Sequence, residues 1–227
     1  AHDWHAGMAC AYMAAHPATH AASVFTIHNL AYQGRFSAAT LGPLGLPDSL
    51  DTEDALEWKG DISYMKGGIL FAEVVTTVSP TYAHEIQTEE LGMGLEAVVR
   101  SRSDDLVGIL NGVDYEEWDT RKDPHIAASY DETEQAGKAI CKKAVLKEFG
   151  LPTEPDLPLV GVVSRLVYQK GFDLVTNALE PLLARSLRMV VLGTGEAEVE
   201  EGLREFTRRD PARFGVRFQY DAGLAHR

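Results

Sequence analysis

Leu159-Val-Gly-Val-Val-Ser-Arg-Leu-Val-Tyr-Gln-Lys-Gly171 opens the stretch that decides the fold, and Met189-Val-Val-Leu-Gly-Thr-Gly195 continues it. Leu159 to Val163 is an apolar run of strand length, and Ser164 to Gly171 has the composition of a loop. Phe172 to about Ala184 follows as a helix, with Leu174, Val175, Ala178, Leu179, Leu182 and Leu183 on one stripe. Met189 to Leu192 is a second strand, Glu196 to about Thr207 a second helix, and Val216 to Tyr220 a third strand. Strands alternating with helices predict a parallel sheet with right-handed crossovers. Ligands of such sheets collect beyond the carboxyl ends of the strands.

Working outward toward the start of the chain, the same grammar recurs. Ala22 to His28, Val74 to Ser79 and Leu106 to Leu110 read as buried strands. Pro80 opens a helix through about Gln87, because the first helical position loses nothing by lacking an N–H. Tyr115 to Gln135 is charged, weakly periodic and interrupted by Pro124. A helix then runs from about Ala136 to Phe149, closed by Gly150 as a left-handed cap with Pro152 beyond it. The predicted organisation is an α/β domain over 1–118, a linker over 119–136 and a second α/β domain over 137–227. The residues expected at strand ends or in the loops after them are His28, Ser79, Asn111, Arg165, Lys170, Gly193 and Tyr220.

Composition narrows the function classes. The chain has 227 residues and carries 21 basic against 34 acidic side chains, a formal net charge of -13. An acidic chain lacks the basic face that displaces counterions from a nucleic acid. It can still hold an anionic substrate through a few well-placed cations. Cys10 and Cys141 stand far apart without ligand-like spacing, so neither a disulfide framework nor a zinc site is predicted. No membrane span or signal peptide is read from the sequence, and a cytoplasmic protein is the default. Ala1 is not a methionine, and His2-Asp3-Trp4-His5-Ala6-Gly7 sits at the very edge of the chain, so the sequence reads as an internal segment of a longer protein.

Arg165 and Lys170 flank Leu-Val-Tyr-Gln in a loop between a strand and a helix. Two cations beside a helix N-terminus make a site for a diphosphate, and they are also what a plain surface loop could carry. His5 can hydrogen-bond a sugar hydroxyl or serve a structural role, and Trp4 reads as a packing wall. Asn111-Gly112-Val113-Asp114 is either a tight turn or a loop whose Asn111 amide meets a ligand. Gly193-Thr194-Gly195 is a shortened dinucleotide-type turn; without a third glycine and a well-spaced acid it gives an oxidoreductase little support. Tyr220 either packs or stacks on a base. His28-Asn29 and Tyr32-Gln33-Gly34 form a polar loop suited to a cleft wall or an acceptor contact. There is no Gly-x-Ser-x-Gly elbow, no P-loop and no metal-binding histidine cluster, so no metal is expected.

The ordered blocks His-Asp-Trp-His-Ala-Gly (2–7), Thr-Ile-His-Asn-Leu-Ala-Tyr-Gln-Gly (26–34), Thr-Val-Ser-Pro-Thr-Tyr-Ala (77–83), Leu-Asn-Gly-Val-Asp (110–114), Val-Ser-Arg-Leu-Val-Tyr-Gln-Lys-Gly (163–171) and Leu-Gly-Thr-Gly (192–195) resemble bacterial glycogen synthases and plant starch synthases. The resemblance implies a GT-B fold of two Rossmann-like domains, each incomplete in this chain. It also implies retaining transfer of glucose from ADP-glucose to the nonreducing end of an α-1,4-glucan. The implied roles are catalytic for His5, Arg165 and Lys170, with the two cations clamping the diphosphate and His5 and Asn111 holding the donor glucose. Tyr220 would lie near the adenine, and Gly193 and Gly195 would line the nucleotide pocket. The implied partners are the nucleotide-sugar donor and the α-glucan, with no cofactor, nucleic acid or membrane. The family's Lys-x-Gly-Gly loop would precede Ala1 and its Glu-Pro-x-Gly-Leu segment would follow Arg227, so little activity is expected of this chain alone. Lys66-Gly67-Gly68 sits in a helix-like stretch and is not assigned to that loop. A related GT-B transferase with a UDP-sugar donor, and a noncatalytic glucan- or nucleotide-binding module, are the alternatives.

Overall fold

The computed structural model of the chain describes residues 1–16 and 21–227. It divides into two compact units, Ala1–Gly112 and Val113–Arg227.

In the first unit, helix α1 (Asp3–Ala15) leads to strand β1 (Val24–Ile27). Strands β2 (Arg35–Phe36), β3 (Glu57–Trp58) and β4 (Asp61–Ser63) form a small antiparallel sheet in the order β2-β4-β3. Helix α2 (Tyr64–Phe71), strand β5 (Val74–Thr77), helices α3 (Pro80–Glu85) and α4 (Glu96–Arg100) and strand β6 (Leu106–Gly108) complete it. The main sheet is parallel, in the order β1-β5-β6. Phe25, Ile27 and Val75 turn inward from it onto Met65, Ile69 and Val99. Glycine allows this packing at two sites: a Cβ on Gly7 would strike the Tyr64 carbonyl, and one on Gly68 the Phe25 ring. The Lys66-Gly67-Gly68 run therefore belongs to the buried face of α2. Lys66 Nζ donates to the Glu57 carbonyl at 2.7 Å and to that of Glu53, and burial pushes its pKa down. The small antiparallel sheet has strands of two and three residues, too short to leave a periodic signal in the sequence.

The second unit holds helix α5 (Ala136–Glu148), strand β7 (Leu159–Val163), helix α6 (Phe172–Leu183), strand β8 (Arg188–Leu192), helix α7 (Ala197–Arg209), strand β9 (Phe214–Arg217) and helix α8 (Ala222–His226). Its sheet is parallel in the order β7-β8-β9, with Val163 opposite Leu192 and Leu192 opposite Arg217. All of β8 is buried, as a central parallel strand should be. Gly150 takes the left-handed conformation that caps α5, with φ 71°.

The structure departs from the sequence reading at three places. The third strand is Phe214–Arg217 rather than Val216 to Tyr220, because its register with β8 begins at Met189 and runs out at Leu192. On α6, Phe172, Leu179 and Leu183 are buried while Leu174 is 69% exposed. The true face is set by the 172, 175, 179, 183 spacing, which leaves Leu174 on the opposite side. The segment expected as a linker over 119–136 groups with the second unit. It is bound there: Thr120 Oγ1 donates to the Tyr130 carbonyl at 2.6 Å, the Cys141 thiol donates to the Ala128 carbonyl at 3.2 Å, and His226 pairs with Asp123 at 2.6 Å.

Candidate functional site

The carboxyl ends of β7, β8 and β9 open into a pocket of about 330 Å3. It gathers Arg165, Gly193 and Tyr220 from the sequence-predicted residues, and adds Glu117, Trp118, Asp221 and His226. Tyr220 stands in the loop between β9 and α8 and is 93% exposed. A large aromatic ring left so bare at a pocket rim is available for stacking. Across the same lining, Trp118 is 50% exposed on one side and on the other lies flat on His226, with ring centroids 3.9 Å apart and planes at 7°. His226 is held by Asp123, and its Nε2 lies 3.8 Å from Glu117. The Asp123 carboxyl is held below its ordinary range, first by the backbone N–H of His125 and then by His226.

Arg165 is the only arginine or lysine in that lining. It is exposed and, among the described residues, has no acidic partner. Arg204, Arg208, Arg209, Arg213 and Arg227 of the same unit are each engaged by a carboxylate. A guanidinium left unpaired among so many paired ones is free to take a bidentate anion. Lys170 ends a 3-10 turn, Tyr168–Lys170, in the same loop, exposed and likewise without an acidic partner, but outside the pocket lining.

Gly193 and Gly195 are explained by packing within the loop. A Cβ on Gly193 would strike the Ser164 carbonyl, and one on Gly195 the Leu166 carbonyl. Leu166 N–H donates to Thr194 and Glu196 N–H to Leu166, both at 2.9 Å. The two loops thus zip together and fix the base of Arg165. Gly195 N–H donates to a Glu200 carboxylate at 3.1 Å, and Glu198 and Glu200 crowd the first turn of α7. That helix end is already supplied with negative charge, which leaves the Arg165 loop as the anion-seeking side.

The remaining predicted residues, His5 and Asn111, lie in the first unit and are exposed. His5 is stacked on Trp4 with centroids 3.9 Å apart. Beyond the carboxyl end of β1 the polar cluster is made instead by His28, whose Nε2 meets His2 Nδ1 at 2.9 Å, and by Asp3. The Asp3 carboxylate accepts the N–H groups of His28 and Asn29 at 2.8 and 3.3 Å, from a backbone with φ 51°. A non-glycine residue in that region is strained, and such strain gathers at functional sites. Asn111 follows β6 in an exposed loop. Among the described residues no group of His, Cys, Asp and Glu side chains is placed to hold a metal ion, and no helix is long and apolar enough to cross a membrane.

Sequence reasoning missed Trp118, His226 and Asp123. Trp118 and Asp123 fall in the stretch taken as linker or its margin, and His226 lies at the other end of the unit. No spacing rule joins them.

Comparison with known proteins bears on both units. Residues 1–101 match the family described as the starch synthase catalytic domain. A glycogen synthase of Anaeromyxobacter sp. (strain Fw109-5) is 48% identical over 99% of this chain and 48% of its own length. That of Alkalilimnicola ehrlichii is 47% identical over 100% of this chain and 47% of its own. The catalytic domain of starch synthase IV from Arabidopsis thaliana, solved bound to ADP and acarbose, superposes with a TM-score of 0.91 at 32% identity, covering 99% of this chain and 48% of that one. The chain is thus similar to glycogen and starch synthases over nearly its whole length. Its α/β fold with parallel sheets is of the GT-B class expected from the sequence. The chain spans about half the length of the curated family members it matches.

Proposed function

We propose that the chain supplies the donor-binding part of a glycogen or starch synthase, which transfers glucose from ADP-glucose to the nonreducing end of an α-1,4-glucan with retention. In the reaction the bond from glucose C1 to the diphosphate oxygen breaks and a bond from C1 to the acceptor hydroxyl oxygen forms. The acceptor proton passes to the leaving phosphate on the same face. The difficult quantity is the charge arriving on the departing diphosphate, and preorganised cations stabilise such charge far better than water does.

The observation that carries this proposal is the unpaired Arg165 in a pocket with bare Tyr220 and Trp118 faces. Arg165 and Lys170 take the diphosphate, and Tyr220 takes the adenine. His5 and Asn111 are assigned to the donor glucose, and Gly193 and Gly195 shape the loop that bears Arg165. The chemistry calls for no cofactor, and the partners are the nucleotide-sugar and the glucan, in a cytoplasmic setting.

The test is transfer of labelled glucose to glycogen from ADP-glucose, with UDP-glucose in parallel. It is run for this chain alone and for the chain set within the frame of the Anaeromyxobacter glycogen synthase. Transfer from ADP-glucose that Arg165→Ala abolishes supports the proposal; a grafted protein that prefers UDP-glucose, or ignores Arg165, refutes it. His5→Ala beside His28→Ala decides which histidine serves the glucose.

A further inference from the structure

We infer that Asn111 is a site of spontaneous deamidation, alone among the chain's three asparagines, Asn29, Asn111 and Asn177. Asparagine is a thermolabile residue, because the backbone nitrogen that follows it can attack its side-chain carbonyl carbon, Cγ. A new N–Cγ bond closes a five-membered succinimide, the Cγ–Nδ2 bond breaks, and the attacking nitrogen's proton departs with the side-chain nitrogen as ammonia. Water then adds to either imide carbonyl and opens the ring to aspartate or isoaspartate. Hydroxide promotes the attack by withdrawing the backbone proton. The rate is set by whether the next N–H is free, how crowded its nitrogen is, and whether solvent reaches both.

Asn111-Gly112 meets all three conditions. Both residues are exposed, in a stretch over 110–113 that has no helix, strand or turn. Gly112 has no side chain to shield its nitrogen or narrow its backbone angles. A Cβ built on it would meet no atom within 4 Å, so the surrounding fold does not crowd the attack either. Among the described residues neither the Asn111 amide nor the Gly112 N–H has a hydrogen-bond partner. The backbone is held at Ile109, whose N–H donates to the Thr77 carbonyl at 2.8 Å, and again at Glu116, whose N–H donates to the Asp114 carboxylate at 2.8 Å. Between those points it can bring the Gly112 nitrogen onto Cγ.

The other two asparagines each fail a condition. Asn29 is half-buried, and its side-chain carbonyl accepts the Ala31 N–H at 3.0 Å. The Leu30 N–H that would attack it donates instead to the Tyr82 hydroxyl at 3.1 Å, and Leu30 is fully buried. Asn177 is exposed but lies in the middle of α6, where the Ala178 N–H belongs to the helix ladder.

The consequence for catalysis rests on the proposed role of Asn111 at the donor glucose. Deamidation replaces an amide that both donates and accepts with a carboxylate that only accepts, and isoaspartate adds a methylene to the main chain. Either product removes a donor from the sugar hydroxyls, so transfer would decline as the protein ages.

Incubation of the chain at mildly alkaline pH, with a mildly acidic sample in parallel, tests this by tryptic digestion and mass spectrometry. The three asparagines fall in separate peptides, over 1–35, 103–121 and 171–185. Conversion of amide to acid is expected in 103–121 alone, faster at the alkaline pH, with part of the product a substrate for an isoaspartyl methyltransferase. Gly112→Ala, whose Cβ enters open space, should slow conversion by about fivefold, the rate equivalent of a glycine's conformational advantage over alanine. Circular dichroism verifies that this variant folds. A 103–121 peptide that stays intact, equal conversion in all three peptides, or a Gly112→Ala chain that converts at the parent rate overturns the site. In the grafted synthase, transfer should fall in step with conversion, and Gly112→Ala should slow the decline. Conversion there with undiminished transfer leaves the modification standing and removes Asn111 from the donor glucose instead.

Discussion

The indole of Trp118 lies flat on the imidazole of His226, 3.9 Å away and within 7° of parallel. The contact joins the first and last segments of the second unit and turns the free face of Trp118 into a wall of the pocket that holds Arg165 and Tyr220. Trp118→Ala is expected to weaken ADP binding by roughly three- to tenfold, the range of one aromatic contact. His226→Ala should act in the same direction by freeing the indole. Calorimetric titration with ADP measures both, and unaltered affinity in both would remove Trp118 from the site.

Among the described residues Arg165 has no acidic partner to lose on truncation. Arg165→Ala should therefore leave stability within about 0.5 kcal/mol of the parent while reducing ADP affinity by roughly 10- to 100-fold, as expected for charge-assisted hydrogen bonds. Arg165→Lys should recover only part, since it keeps the charge and loses the fork. Denaturant titration beside ADP titration separates the two effects.

The glycines of the Gly193-Thr194-Gly195 turn make a sharper contrast with Gly161. Gly193→Ala forces the Ser164 carbonyl aside and should cost about 2–3 kcal/mol. At Gly161 the nearest atom to a new Cβ is Val190 Cγ2 at 4.0 Å, so Gly161→Ala should be neutral or slightly stabilising. Thermal unfolding of the two variants checks the difference, and equal losses would contradict the packing account.

Acid should loosen the segment over 113–135 through its carboxylates. Asp119, hydrogen-bonded by the Arg121 side chain, has its pKa lowered to about 2, and Asp131 is lowered by Thr133 and the Glu134 N–H. Each binds its proton less readily folded than unfolded. Their contribution is thus whole above the unfolded carboxylate pKa of about 3.9 and is lost as pH falls toward about 2. The indole N–H resonance of Trp118 should shift across that window, and Asp119→Asn should reduce the pH dependence. A resonance unmoved between pH 5 and 2 would refute it.

The parallel strands and their helices were legible because each is a local pattern. Leu159–Val163 and the Gly150 cap were read residue for residue. What failed was whatever depended on a neighbour. Tyr220 lost its place in β9 because β8 stops at Leu192, and Leu174 lost its place in the core because Phe172 anchors the other face of α6. The stretch around Pro124 looked like a linker, since its bonds are to Tyr130, Cys141 and His226 and none of these partners is signalled by composition.

The sequence by itself determined the alternation of strand and helix, the loop that carries Arg165 and Lys170, and the ordered motifs that the chain shares with glycogen and starch synthases. These are short-range properties, written in hydrophobic period and in residue order along the chain. Only the tertiary structure decided that Arg165, among the described residues, goes without an acidic partner while Arg204, Arg208, Arg209, Arg213 and Arg227 of the same unit have one, that Trp118 rests on His226, and that Gly193 and Gly195 serve the packing of one loop on another. Pairing, stacking and exclusion are relations between atoms far apart in the chain. They are fixed by which surfaces the folded units bring together.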